Sequence, residues 1–147
     1  MTTQPIRPVL AISTAVFREG RVLLARRGAA PMRGLWSLPG GRLEPGETLA
    51  EGAVREVMEE VGVACRIVGV AGALDIIRRD GDGAVTSHFV VISHAGLWLE
   101  GDASTGPEAA EIGWFDPQHL PADTTDGLAG IVTAAQFLAT QALVAGP

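Results

Sequence analysis

Three carboxylates, Glu56, Glu59 and Glu60, fall within little more than one helical turn of this 147-residue chain. Like charges at such spacing repel by a few tenths of a kcal/mol, roughly, for each i,i+4 pair. A hard divalent cation would compensate. Mg2+ takes oxygen ligands and favours carboxylates together with phosphates, and Mn2+ accepts the same donors. A Glu-rich helix is ordinarily a solvated face, and Glu51 with Arg55 alone would be a surface pair. The spacing here is more demanding than that. Gly41, Glu47, Arg55, Glu56, Glu59, Glu60 and Gly62, with aliphatic Val57 and Val63, are placed over one continuous segment.

The element that must carry these groups can be read from its ends. Thr48 followed by Glu51 is a capping box, in which hydroxyl and carboxylate each satisfy a free N–H. Gly62 stands where a left-handed C-terminal residue belongs. The spacing predicts a helix from Leu49 to Val61. A rotation of about 100° per residue puts Leu49, Ala53, Val54, Val57 and Val61 on a core stripe. The three carboxylates fall on an adjoining arc. Gly52 projects into that arc, where it is expected to leave room for ions and phosphates. Leu38-Pro39-Gly40-Gly41 and Pro45-Gly46 read as a loop able to bring a backbone carbonyl to a metal.

With those positions in place, the segment resembles the signature box of the Nudix hydrolases. Trp36-Ser37-Leu38-Pro39-Gly40-Gly41 resembles the family's lead-in, and Glu111-Ile112-Gly113-Trp114-Phe115 its late strand. The resemblance implies an α/β/α sandwich with a mixed sheet and a loop-helix-loop metal site. It also implies Mg2+- or Mn2+-dependent hydrolysis of a diphosphate bond in a nucleoside diphosphate linked to another group. Gly41, through its carbonyl, and Glu56, Glu59 and Glu60 are the implied ligands. Glu47 and Arg55 are the implied supporting pair, with Gly62 closing the box.

The chemistry suits phosphorus. Two cations about 3.5–4 Å apart can shield phosphate charge, orient the phosphates and activate a water. The general base is either Glu56 or an acid before the late strand. Glu108, after Gly106-Pro107, is preferred there to Glu111, which reads equally well as a solvent-facing strand residue. His88 and His94 read as packed or hydrogen-bonded strand histidines, since no partner is visible in sequence. Arg27, at a strand end, is a candidate phosphate ligand, with an exposed strand-end cation as the plain alternative. Trp36, Phe89, Trp98, Trp114 and Phe115 offer stacking surfaces, although aromatics on strands are mostly core.

The remaining chain supplies a single domain of residues 1–147. Val9–Phe17 and Arg21–Arg26 read as strands around an Arg18-Glu19-Gly20 turn, with Leu35–Leu38 a short strand before the box. Ile67–Arg78 and Val85–Leu99 form a second hairpin, Ile112–Phe115 a late strand, and Gly127–Val144 an amphipathic helix with Leu128, Ile131, Val132, Ala135, Phe137, Leu138 and Leu143 apolar. The net charge of −6 argues against a nucleic-acid polymer as partner but not against a nucleotide. Cys65 is the only cysteine, which excludes an internal disulfide and fits a reducing cytoplasm. MTTQPIRPVL shows no signal-peptide pattern, and no apolar run is read as a membrane span. Oligomeric state stays open, a homodimer included. So does the substrate. The proline marker of the ADP-ribose group beyond the box is absent, which leaves ADP-ribose, other nucleotide sugars and (d)NTPs. A domain that binds a nucleotide or metabolite without hydrolysing it is the alternative. Such a domain would be expected to lose one or more of the three carboxylates, and all are present.

Overall fold

The computed structural model describes residues 5–30 and 32–146. The first four residues, part of the segment read as lacking a signal peptide, lie outside it. The chain forms β1 (Val9–Arg18), β2 (Arg21–Arg27), β3 (Trp36–Ser37), β4 (Gly40–Arg42), α1 (Leu49–Val61), β5 (Ala64–Arg79), β6 (Val85–Glu100), β7 (Ala109–Phe115) and α2 (Leu128–Ala145). Seven strands make one sheet in the order β3-β2-β1-β6-β5, with β4 on β1 and β7 on β2. Strands β1 and β6 run parallel, while the pairs β1–β2, β1–β4, β2–β7 and β5–β6 are antiparallel. The mixed sheet and its two helices make the α/β/α sandwich that the resemblance implies.

Alternation along β1 and β2 divides the core. Ala15, Phe17, Val22 and Leu24 face α2, where Leu128, Val132, Ala135 and Ala139 cover them. Val16, Leu23 and Ala25 face α1 and pack with Val57, Val61, Val63 and Cys65. Full burial of one such aliphatic side chain contributes about 1.5–3 kcal/mol. Glu19 and Gly20 both adopt positive φ, 51° and 79°, which is the primed two-residue turn whose twist suits a hairpin. Strands β1 and β2 pair only beside this turn, at Phe17–Val22 and Arg18–Arg21. Beyond it they diverge, and β4 occupies the vacated edge of β1 at Ala11, Ile12 and Ser13.

Several expectations need correcting. Gly40–Arg42, read as loop, is a strand, because divergence of the hairpin leaves a free edge for it. The late strand begins at Ala109, so Glu111 lies inside it and Glu108 immediately before it. Leu49 is half-buried and stands outside the α1 core cluster, at the first residue of the helix. Phe137 and Leu143 on α2 point outward, 63% and 68% exposed. Helix α2 carries no charged residue and is long and apolar enough to cross a membrane by length and composition alone. Here its Leu128, Ile131, Val132, Ala135 and Ala139 are buried on the sheet.

Candidate functional site

Helix α1 starts and stops where its sequence dictates. Thr48 Oγ1 accepts the Glu51 N–H at 3.1 Å, and Glu51 Oε1 accepts the Thr48 N–H at 3.0 Å. Gly62 ends the helix at φ 73° and donates its N–H to the Met58 carbonyl. Val57 and Val61 anchor one face in the core. The helix phase then swings Glu56 and Glu60 toward β4, the strand paired to the centre of the sheet.

Arg55 ties this assembly together. Its Nε donates to Glu47 Oε2 at 2.6 Å and its Nη2 to Glu47 Oε1 at 2.9 Å, a bidentate pair. Nη2 also donates to the Arg42 carbonyl at 3.1 Å, which fastens β4. Nη1 reaches Glu56 Oε1 at 2.8 Å and Glu59 Oε2 at 3.1 Å. Hydrogen bonds from Arg55, then from the Glu44 N–H, hold the Glu47 carboxyl below the usual range. Glu47 and Glu56 in turn keep the guanidinium charged. One cation thus organises three of the box carboxylates and the strand beside them.

Gly41 and Gly40 explain themselves through neighbours. A Cβ on Gly41 would lie 2.5–2.7 Å from the Glu56 carboxyl atoms, so the carboxylate occupies the space a side chain would take. The Gly40 N–H donates to Glu60 Oε2 at 2.7 Å. A Cβ on Gly40 would collide with the backbone of Ile12 and Ser13. Burial pushes the Glu60 carboxyl up to about 7. The Gly40 N–H opposes that, the charges of Glu108 and Glu56 add to it, and Arg27 opposes it. Glu108 and Arg27, from different parts of the sequence, are therefore both brought within electrostatic reach of Glu60.

The remaining candidates separate. Glu59 shares the Arg55 Nη1 donor with Glu56, and its carboxylate is 60% exposed where that of Glu56 is 16%. Gly52 leaves no room for ions: the space beside its Cα is filled by Ile12 Cδ1 and Leu43 Cδ1, which would lie 2.6 and 2.8 Å from an added Cβ. Its absent side chain lets α1 approach β1 closely. Glu111 pairs with Arg26 at 2.9 Å on the exposed surface. His94 is buried, with Nδ1 hydrogen-bonded to the Ser13 carbonyl at 3.1 Å, and His88 meets Asp75 at 3.1 Å. Trp36 and Phe115 stack edge to face at 5.0 Å, and Trp98 lies under Arg18. A shallow depression of about 610 Å³, lined in part by Val54, Cys65, Ile67 and Leu99, shares only Arg55 with the carboxylate site.

The donors decide whether a hard cation fits. Among the described residues no three Asp, Glu, His or Cys side chains stand close enough to hold an ion by themselves. Mg2+ does not require such a cage; it retains waters and uses one or two carboxylates with substrate phosphates. Glu56 and Glu60 supply two carboxylates, both oxygen donors, beside the backbone of Gly40 and Gly41, where the Gly40 N–H holds Glu60. The residues fit the ion.

The comparisons with known proteins identify the family. The family model of the NUDIX domain matches residues 7–135. This chain belongs to the Nudix family. It is 32% identical over 116 residues to an ADP-ribose pyrophosphatase of Methanocaldococcus jannaschii, a match covering 79% of this chain and 66% of that one. It is 34% identical over 116 residues to an 8-oxo-dGDP phosphatase of Mus musculus, covering 77% of this chain and 34% of the relative. The chain therefore spans less than two thirds of these relatives' lengths. The crystal structure of a MutT NUDIX hydrolase from Burkholderia pseudomallei superposes with a TM-score of 0.74 at 27% identity, over 87% of this chain and 98% of that one.

Some parts of this Nudix site were not read from sequence. The Gly40 N–H and the Arg42 carbonyl are main-chain groups, to which side-chain spacing gives no clue. The Gly40-Gly41 doublet was the available signal: adjacent glycines mark close approach of other atoms.

Proposed function

We propose that this Nudix chain is a metal-dependent hydrolase. It cleaves the diphosphate linkage of nucleoside diphosphate derivatives by attack of water at phosphorus. The observation that supports this most is the seating of Glu56 and Glu60 against the Gly40–Gly41 backbone, with Arg55 fixing the Glu56 carboxylate. Glu56, Glu60 and the Gly41 carbonyl would hold Mg2+, or Mn2+ in its place. When bound, such an ion neutralises phosphate charge and eases deprotonation of water. Glu47 and Arg55 orient the helix that carries the ligands. Glu108 is the residue assigned to take the proton from the attacking water, because its charge reaches Glu60 while it lies outside the helix. Arg27 meets the substrate's phosphates.

The substrate class follows the relatives' names, which specify ADP-ribose and 8-oxo-dGDP, both built on a nucleoside diphosphate. Release of nucleotide or phosphate should be measured with Mg2+ or Mn2+ over ADP-ribose, nucleotide sugars, dinucleoside polyphosphates, 8-oxo-dGDP and (d)NTPs. Turnover of a nucleoside diphosphate derivative is expected to be fastest. No turnover of any member with either metal would overturn the proposal in favour of a binding domain.

A further inference from the structure

The segment between β6 and β7 closes on the C-terminal end of α1. Ser104 donates its N–H to the Val61 carbonyl at 2.9 Å, satisfying one of the helix's free acceptors. Gly101, at φ 100°, packs its backbone against the Gly62 carbonyl, where a Cβ would lie 2.6 Å away. Gly106 makes the same approach two residues earlier, on the helix: a Cβ there would lie 2.6 Å from the Glu60 carbonyl oxygen and 3.3 Å from that of Glu59. The start of the loop is held by Trp98, whose Nε1–H donates to the Gly101 carbonyl at 2.8 Å. Its far end is held by the Gly28 N–H, which donates to the Glu108 carbonyl at 3.1 Å. Immediately beyond, the β2–β7 ladder shifts register between Arg26 and Arg27. Such irregularities re-aim side chains.

We propose that Gly106 is a positioning residue: its missing side chain lets the loop seat on the Glu60 carbonyl and so fixes Glu108 relative to Glu60. This rests on the assignment of Glu108 as base. The loop is a clasp between two elements distant in sequence, not a segment that swings over the site. Contact at Glu60 itself matters, because the carbonyl Gly106 touches belongs to the residue whose carboxylate faces β4. A displacement of the loop would therefore change the spacing of the two acids directly. Misplacement by about 1 Å can cost on the order of 10²-fold in rate.

A double-mutant cycle tests it, with steady-state kinetics on ADP-ribose or whichever panel member turns over fastest. Gly106→Ala should lower kcat roughly tenfold or more and leave KM within about twofold, as expected for a loss felt in the reaction step. In a Glu108→Gln background the same substitution should cost nothing further, because the group it positions is gone. Amide exchange at Ser104 should quicken in Gly106→Ala while Mn2+ affinity holds. Should that variant fail to fold, Trp98→Phe removes the bond to Gly101 and should show the same dependence on Glu108 in milder form. Unchanged kcat in Gly106→Ala, or losses that multiply in the double variant, would overturn the clasp alone. A silent Glu108→Gln would overturn the assigned base and the clasp with it.

Discussion

Arg55 and Glu60 show how single groups in this site are set by opposing forces. A lysine at position 55 keeps the charge but offers a point donor, not a planar fork, and cannot hold Glu47 bidentately while reaching Arg42 and Glu56. Arg55→Lys is expected to lower kcat roughly tenfold, in the range seen when outer supports of a metal site are lost, with a lower melting temperature. Calorimetry beside kinetics would check both. Glu60 has the opposite character, since its burial works against its charge. In the unfolded chain it titrates near 4.5, and in the fold near 7. Between those values the folded state binds more protons, so stability of the metal-free protein should fall as pH rises through that window, by on the order of 2 kcal/mol. Glu47 and Glu51, both held low, lose their contributions only as pH drops toward their own range, outside this window. Urea denaturation in chelator at pH 5 and pH 8 would measure the difference. Glu60→Gln should flatten it while lowering turnover about 10²-fold or more, as loss of a directly placed charge does. A Glu60→Gln enzyme with wild-type turnover would remove the residue from the reaction.

At the scale of elements, α1 is a pre-set platform. Its capping box, glycine stop and valine stripe are all local, and none touches the reacting groups. Thr48→Ala should therefore cost about 1 kcal/mol of stability and leave kcat unchanged in protein that remains folded. Equilibrium unfolding and kinetics on one sample would separate the two effects, and a large kcat loss would mean the cap also sets the carboxylates. Strand β4 behaves differently, because its glycines exist for what lies against them. Gly41→Ala would drive a methyl into the Glu56 carboxyl. Mn2+ affinity should weaken by roughly 10–100-fold with little change in melting temperature. Titration of Mn2+ by electron paramagnetic resonance would show it.

For the whole molecule, the ligand-bearing residues and the core are separate sets. Val57, Val61 and Val63 are fully buried, and none of the candidate ligands belongs to either core cluster. Excess chelator should abolish turnover while circular dichroism and the melting profile keep their cooperative form. Full activity in chelator would sink the metal mechanism. The sheet explains why the separation is possible. Strands β1 and β2 are covered by α2 on one side and α1 on the other, so the core is built from groups that would not bind the ion. The candidate site lies on one flank of α1, where β4 and the loop before β7 meet it.

Much of this was legible in the residues alone. The bounds of α1, its caps, its valine stripe and the acid–glycine spacing are local properties, decided by hydrogen bonds and side-chain phase within a few residues. They determined the helix, the family resemblance and the chemistry of the donors. Tertiary structure decided what the arc of acids means. Only the packing of α1 against β1 shows that Gly52 is filled by Ile12 and Leu43. Only the folded structure shows one nitrogen of Arg55 shared by Glu56 and Glu59 while Glu60 is held by the Gly40 N–H. The strand at Gly40–Arg42 exists because β1 and β2 diverge, and nothing in its own three residues reports that. Glu108 gains its meaning from Glu60, forty-eight positions away. Such relations arise from long-range pairing and close contact, which depend on the surrounding fold and not on local pattern.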